Sequence, residues 1–596
     1  MRPCLLAGLA ALVFVASWAI AQAWQATNQM RQAAAAVAIA KEQVVTGDYD
    51  AVPATFSEIR RHAASARAAT QDPVLRLAER VPLLGRNLAV LRELTEVVDD
   101  TLAAAEPMAD LVPKFSAESL APQDGKIPLG PLTHAAEVVT GVADGVTAAQ
   151  EDLAGIDTAG TVPQLGAAHT QLSEVLNQLA PALQDAAPVV KRIPAMLAAG
   201  GSRTYVVMFL NNAELRSLGG TALSFAEIDV ADGAISLARV VPATDPAFLQ
   251  HTASIIPIRG GFDDSVYPGA VGRFIANATT RPSAETAAQV VQAEWRSAFG
   301  KEIDGVVSMD GRALAYALTA LGPITLSTGD VVTSDNVVSL LFNQVYVRYN
   351  SGDILADDAA QGAVYAETVL LTFARLTSGQ FDPATLFSGL ASAVQGANLT
   401  VWLADGDERA ALERTGAGAV GLPVSTPTTD AAGVYINDQV GSKLNFYLGS
   451  SLTTGSAVCT PDGRVVHRET LTLTNKLPPE AVAGLSPSIA GLGHADLGIP
   501  TGTQRLLLFF YLPVKAATVG ARVDGSPVEL VEPIYDEGRE VLALSVQVPP
   551  GETQEVTVDF LMDEPGQRQL VTAVTPTSDG TLRQAEPLSC DSVILR

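Results

Sequence analysis

Cysteine is nearly absent: three in 596 residues, which excludes a disulfide-built scaffold. Cys4 falls in an N-terminal apolar run, leaving Cys459 and Cys590 as an isolated pair. In an oxidising compartment they would form one disulfide closing a long loop, worth roughly 2–4 kcal/mol, with two buried thiols as the other reading. Histidine is scarce as well. His62, His134, His169, His251, His467 and His494 are scattered without ligand spacing, which argues against a histidine metal site or a Ser-His-Asp triad. No C-x-x-C, G-x-S-x-G, H-E-x-x-H or Walker segment occurs, so nothing supports a hydrolase. Positive charge is in deficit. Against 64 acidic residues stand 38 basic ones, and the net charge of −26 repels nucleic acid and anionic headgroups at long range. No nucleic-acid partner is expected.

Apolar residues make up 48% of the chain and aromatics only 5%, with alanine abundant; this describes a globular protein with a large helical share. The length suits about three or four folded units at roughly 150 residues each. Behind Arg2, the run CLLAGLAALVFVASWAI from Cys4 to Ile20 is uncharged and extends to Trp24. About 20 apolar residues suffice to cross a bilayer, and the positive N-terminal flank would keep that end in the cytoplasm. The alternative is a signal peptide cut after Ala21-Gln22-Ala23, but the run exceeds the roughly 7–15 residues usual there, which favours an anchor. Either way the bulk of the chain is expected outside the cytoplasm.

From about Gln25 to Ala199 the pattern is helical. Leu84, Leu88, Leu91, Thr95, Val98 and Leu102 recur at steps of four and three, and Leu172, Val175, Leu179 and Leu183 do so again, as the seam of an internal bundle or stalk would. At Thr204 the period changes. TYVVMFLNN reads as a strand, and TALSFAEIDVADGAISLARVV as two strands joined at Asp232-Gly233. RPSAETAAQVVQAEWRSAFG reads as a capped helix ending at Gly300, and IDGVVSMD as a buried strand whose Asp310 caps a helix stopping at Gly322. Past the linker LPVSTPTTDAAG, segments such as HRETLTLTN, RLLLFFYL and EVLALSVQV alternate as half-buried strands. The expected fold is multidomain α+β: residues 1–24 a transmembrane anchor or signal, 25–199 a helical stalk, 200–422 an α/β domain, and 423–596 a β-sandwich, immunoglobulin-like in the broad sense.

Polar chemistry concentrates in NNAELRSLGG, Asn211 to Gly220, directly after the first strand. Candidate ligand-binding residues are Asn212, Glu214, Arg216, Thr221 and, downstream, Arg348; candidate magnesium ligands are Asp245, Asp263 and Asp264. A guanidinium fork suits phosphate or carboxylate, and paired carboxylates suit a hard cation. The structural alternative is a Glu214–Arg216 ion pair with Gly219-Gly220 supplying only a turn.

The order YVVMFLNNAELRSLGG, DGAISL, IDGVVSMDGRALAYALTALGPITL resembles the bacterial envelope family catalogued as domain of unknown function 4012, marked by an N-N-x-E-L-R-x-x-G-G segment after a strand. That resemblance implies an anchored or exported envelope protein without an assigned activity. The α/β region alone is similar to the LytR-CpsA-Psr glycopolymer transferases, which act on polyprenyl-pyrophosphate-linked glycans with magnesium. Arg216, Thr221 and Asp245 match that pattern, with Arg348 and Gln361 further on. Gly220 and Thr244 replace an acid and an arginine, and Asp357 and Asp358 stand where arginines are usual. The resemblances together imply a single-pass protein of the cell membrane that binds or scaffolds in cell-wall and surface-polymer assembly. A glycopolymer, a polyprenyl-pyrophosphate lipid or other envelope proteins would be its partners. A magnesium-dependent phosphotransferase and a purely structural spacer are the alternatives.

Overall fold

The computed structural model describes residues 2–46, 48–82, 84–111, 121–123, 125–258, 271–415, 418, 422, 424–426, 428–460, 464–490, 498–530, 532–563 and 568–586. Two compact units divide the chain: Met1–Ala121 with Ile127–Ala199, and Pro122–Lys126 with Gly200–Arg596.

The first unit is helical: α1 (Arg2–Thr46), α2 (Val52–Thr70), α3 (Pro73–Ala78), α4 (Gly85–Leu111), α5 (Leu129–Ala154) and α6 (Pro163–Met196). Helix α1 runs unbroken through residue 24. Among the described residues no helix is long and apolar enough to cross a membrane; the side chains of Cys4 and its neighbours up to residue 16 lie outside the described set. Alanines let α1 and α2 approach closely, with Ala26, Ala33 and Ala36 buried against Ile59, Ala66 and Ala69. Helix α4 is buried on two sides, through Leu91 and Leu102 toward these helices and through Val90, Leu94 and Val97 toward α5 and α6. The seam expected in α6 holds at Leu172 and Leu183, which pack against the core shared with α5, but not at Val175 and Leu179, which are about half exposed while Leu176 and Ala180 are buried against the valines of α5.

The second unit begins with a five-stranded mixed sheet of order β3-β2-β1-β4-β7: β1 (Ser202–Asn211), β2 (Thr221–Ala231), β3 (Ala234–Pro242), β4 (Gly305–Asp310) and, after a small hairpin of β5 (Ile324–Thr325) and β6 (Val331–Val332), β7 (Leu399–Leu403). Asp232 and Gly233 join β2 to β3 with φ of 47° and 79°, the doubly positive turn that Asp-Gly favours. One face is densely covered by α7 (Ala284–Phe299), whose Trp295 meets Phe225, Phe248 and Phe299 edge-on or tilted at centroid distances of 5.2–5.5 Å. The Ser283 hydroxyl caps α7 and Gly300 ends it in the left-handed region. On the other face lie α8 (Gly311–Leu321), α9 (Ile354–Thr377) and α10 (Pro383–Gln395), while α11 (Gly406–Arg414) follows β7.

Two further sheets form a sandwich. One has the order β13-β12-β16-β10-β9-β18 and the other β14-β15-β11-β8-β17. Their ranges are β8 (Thr429–Asp438), β9 (Leu448–Cys459), β10 (Val465–Asn475), β11 (Gln504–Tyr511), β12 (Ala517–Val523), β13 (Ser526–Pro527), β14 (Ile534–Asp536), β15 (Arg539–Val548), β16 (Thr553–Leu561), β17 (Gln569–Val574) and β18 (Thr581–Ala585). The alternating residues Leu542, Leu544, Val546 and Val548 share one core with Leu471, Leu473, Leu506, Leu508, Val556 and Phe560. Most pairs are antiparallel, but β17 joins β8 and β18 joins β9 in parallel. Mixed sheet and sandwich belong to one compact unit.

Candidate functional site

Strand β1 ends at Asn211 and β2 begins at Thr221, its partner across the connection. The nine residues between close on themselves. The Glu214 N–H donates to the Asn211 carbonyl at 3.0 Å, Thr221 N–H to the Glu214 carbonyl at 2.9 Å, and Gly219 N–H to the Arg216 carbonyl at 2.8 Å. Both glycines have a steric reason: Gly219 has φ 119°, and a Cβ on Gly220 would overlap the Asn211 carbonyl.

This loop is a clasp into the sandwich. The Leu215 side chain is wholly buried within the sandwich core, among residues that include Val434, Ile436 and Phe510. Its N–H donates to Asn445 Oδ1 at 2.8 Å and its carbonyl accepts from Asp438 N–H at 2.9 Å. Ser217 is held by Asn437, whose Oδ1 accepts the Ser217 N–H at 3.1 Å and whose Nδ2 donates to Ser217 Oγ at 2.8 Å; Thr575 Oγ1 donates to the Ser217 carbonyl at 3.0 Å. Asn212 Nδ2 reaches Asp310 Oδ2 at 3.1 Å and the Pro576 carbonyl at 3.2 Å. Side-chain amides here do what strand pairing does elsewhere, satisfying buried backbone groups.

The charged candidates are used inside the clasp. Glu214 bonds Lys443 Nζ at 2.7 Å and Arg216 Nη2 at 3.2 Å. Burial pushes the Glu214 carboxyl up, but Lys443 and Arg216 outweigh it and hold it below the usual range. Arg216 also donates from Nε to Asn277 Oδ1 at 3.2 Å and from Nη1 to the Leu215 carbonyl at 2.9 Å, and its side chain is 13% exposed. Nearby Asp438 has its carboxyl raised to about 6 by burial, against the pull of Arg216.

The remaining candidates do not converge on Arg216. Thr221 Oγ1 donates to the Ala276 carbonyl at 3.0 Å. Arg348 forms a two-pronged bond with Asp330 at 2.5 and 2.9 Å and is about two-fifths exposed. Asp245 caps a turn, accepting from Ala247 N–H at 2.9 Å. Asp263 and Asp264, the Cys459 side chain and Cys590 lie outside the described residues. Among the described residues no group of three or more His, Cys, Asp or Glu side chains converges as a metal site. The described part of the magnesium donor set is thus Asp245, already engaged as a turn cap.

A second feature had no counterpart in the sequence reading. Between the open face of the mixed sheet and α8, α9 and α10 lies a cavity of about 220 Å³. Val207, Phe209, Ala226 and Ile228 form its floor; Leu314, Ala317, Phe373, Leu376, Leu386 and Leu390 form its walls and roof. It is larger than the ~150 Å³ apolar void that holds benzene in an engineered protein. Left dry and unfilled, such a volume costs at most about 5 kcal/mol at roughly 24 cal/mol per Å³, comparable with the lower end of a domain's net stability. A π-helical turn, Leu340–Gln344, puts Leu341 and Phe342 at one end, and a Cβ on Gly311 would strike the Phe342 ring, so Gly311 keeps that end closed. Asp310 marks the polar edge. Burial pushes its carboxyl up, countered by donated bonds from Asn398, Asn212 and the Ala313 and Arg312 N–H groups. The sequence signal was the stripe Tyr365, Val369, Thr372, Phe373 and Leu376 at helical spacing in α9, opposite sheet residues that, among those lining the cavity, carry no aromatic but Phe209.

No curated protein and no solved structure matches the chain. Residues 200–346 match the family model described as "Protein of unknown function (DUF4012)", so the stretch that carries the clasp and much of the cavity belongs to that family.

Proposed function

We propose that this chain is a binding and assembly protein of the cell envelope, anchored by its N-terminal apolar run with its bulk extracytoplasmic, whose mixed sheet holds a long apolar chain taken from a membrane lipid. The observation that carries this reading is the apolar cavity beneath α8, α9 and α10. We read the mixed-sheet region as a distant relative of the LytR-CpsA-Psr domain, supported by its order of elements, and the C-terminal sandwich as immunoglobulin-like in the broad sense, supported by its two-sheet core. The phosphotransferase alternative draws less support, because each of the three guanidinium nitrogens of Arg216 already donates a bond within the protein and Arg348 is paired with Asp330. A pure spacer has no use for the cavity.

The test is a titration of the purified chain with a fluorescent long-chain fatty probe. Saturable one-to-one binding is expected, lost when Ala317→Phe fills the cavity while circular dichroism stays unchanged. Arg216→Ala should cost roughly 3 kcal/mol of stability, as breaking a buried ion pair does, without altering probe affinity. Binding that survives the filled cavity, or a chain that binds no apolar probe, refutes the reading; probe affinity that collapses in a folded Arg216→Ala chain favours the transferase alternative.

A further inference from the structure

The wall of the cavity that a ligand can touch is carbon. Five described lining residues carry polar side chains, and each keeps its polar atoms out of reach. Ser224 Oγ and Thr372 Oγ1 are closed off from the space. Thr368 Oγ1 turns back to the Val364 carbonyl at 2.8 Å. The Tyr365 hydroxyl donates to the Leu341 carbonyl, and Asp310, 4% exposed, accepts four bonds from the protein. No lysine, arginine or histidine is among the described lining residues. A headgroup of any charge would lose its water here and gain no bond in return, so only hydrocarbon enters.

The space also sets a length. Benzene, with six carbons, occupies an apolar void of about 150 Å³ in an engineered protein, so about 220 Å³ holds about nine. A chain filling one leaflet spans half of a roughly 30 Å hydrocarbon core, farther than about nine carbons reach. Part of such a chain must therefore stay outside. One end of the cavity is blind, closed by Leu341 and Phe342 of the π-helical turn over Gly311, and a blind space admits the free end of a chain rather than its middle. Resting on the reading of the cavity as a lipid-chain site, we infer that it takes the chain tail first: about nine terminal carbons enter, while the remaining chain and its headgroup stay outside. The site thereby selects a lipid by its free, unsubstituted chain end and does not discriminate among heads.

Displacement of the bound fluorescent probe from the full chain by primary alcohols of six to sixteen carbons, kept below self-association, tests this. Affinity should rise about threefold to fourfold per carbon up to about nine or ten carbons and then level off. At fourteen carbons, where the head clears the cavity, the alcohol, the carboxylate and the trimethylammonium should bind within about fivefold of one another in about 0.15 M salt. Phe342→Leu, which deepens the blind end, should move the plateau to longer chains, and Leu341→Phe, which fills it, to shorter ones, with circular dichroism checking the fold. If neither variant folds, the length series on the unsubstituted chain decides. Affinity that climbs at the same rate to sixteen carbons, a plateau unmoved in a folded variant, or a wider spread among the heads overturns the inference while the apolar-chain reading stands. If no alcohol displaces the probe, both are overturned.

Discussion

Glu469 shows what a single buried group does to this protein. Its carboxyl on β10 is wholly buried with one bond, from Thr572 Oγ1 at 2.6 Å, and burial raises it to about 7 despite that bond. A carboxyl raised in the folded state binds its proton more tightly there than in the unfolded chain. The Glu469 contribution to stability therefore falls as pH rises from about 4.5 to about 7, and its full penalty of roughly 3 kcal/mol persists above that. Glu469→Gln should remove this falling contribution, making stability rise more with pH than in the unsubstituted chain, and gain about 1–3 kcal/mol near pH 8, read as denaturant midpoints across pH; an unchanged pH dependence would count against the assignment. Its neighbour His467, stacked on Phe560 at 5.6 Å, is pushed down to about 4 by burial, and because the unfolded chain binds that proton more tightly its contribution to stability rises from about pH 4 to 6.5, opposing that of Glu469. Neither effect is visible in HRETLTLTN as a string of letters. Strand alternation tells which residues face inward, but a charged residue facing inward reads as an exception until its surroundings are known.

At the scale of elements, local rules served well where the determinants are local. The Asp232-Gly233 turn, the Ser283 and Asp310 caps and the stops at Gly300 and Gly322 all follow from short-range backbone chemistry, and each stands in the structure. The α6 stripe held at Leu172 and Leu183 and failed at Val175 and Leu179, because burial there depends on which helix packs opposite, and a heptad-like spacing does not name that neighbour. NNAELRSLGG was legible as important and illegible as to purpose, since the groups that satisfy it, Asn437, Lys443, Asn445 and Thr575, come from more than 200 residues away. The cavity was missed because the α9 stripe that lines it reads equally well as a filled core, and only the packing opposite shows the space left between. One pairing yields a prediction for the cysteines. Strand β18 runs parallel to β9, with Ser450 opposite Thr581, so the described chain leading toward Cys590 travels in the direction of Cys459. Peptide mapping of non-reduced protein should therefore recover a Cys459–Cys590 disulfide, with a reduced-chain stability lower by about 2–4 kcal/mol. Two free thiols in the oxidised protein would count against it.

For the whole molecule, the notable fact is that mixed sheet and sandwich do not close separately. Leu215 completes a core otherwise built by the sandwich strands, and Arg281, ahead of α7, is buried against Asp536 of β14 at 2.5 Å with Tyr511 Oη on the same carboxylate at 2.9 Å. Breaking such a pair by removing one member typically costs about 3–5 kcal/mol. A fragment of residues 200–422 should then fail to fold, showing little amide protection, whereas 200–596 should unfold in one cooperative denaturant transition. A stable, protected 200–422 fragment would show the clasp to be dispensable.

The clasp also orders events in time. The hydroxyl of Thr575 and the carbonyl of Pro576 that engage Ser217 and Asn212 leave the ribosome 358 and 364 residues after them. Until they arrive, the loop has buried-type amides and an unhoused leucine exposed to proteases. A chain terminated before Thr575 thus carries a permanent mark of incompleteness, and only synthesis past Pro576 erases it.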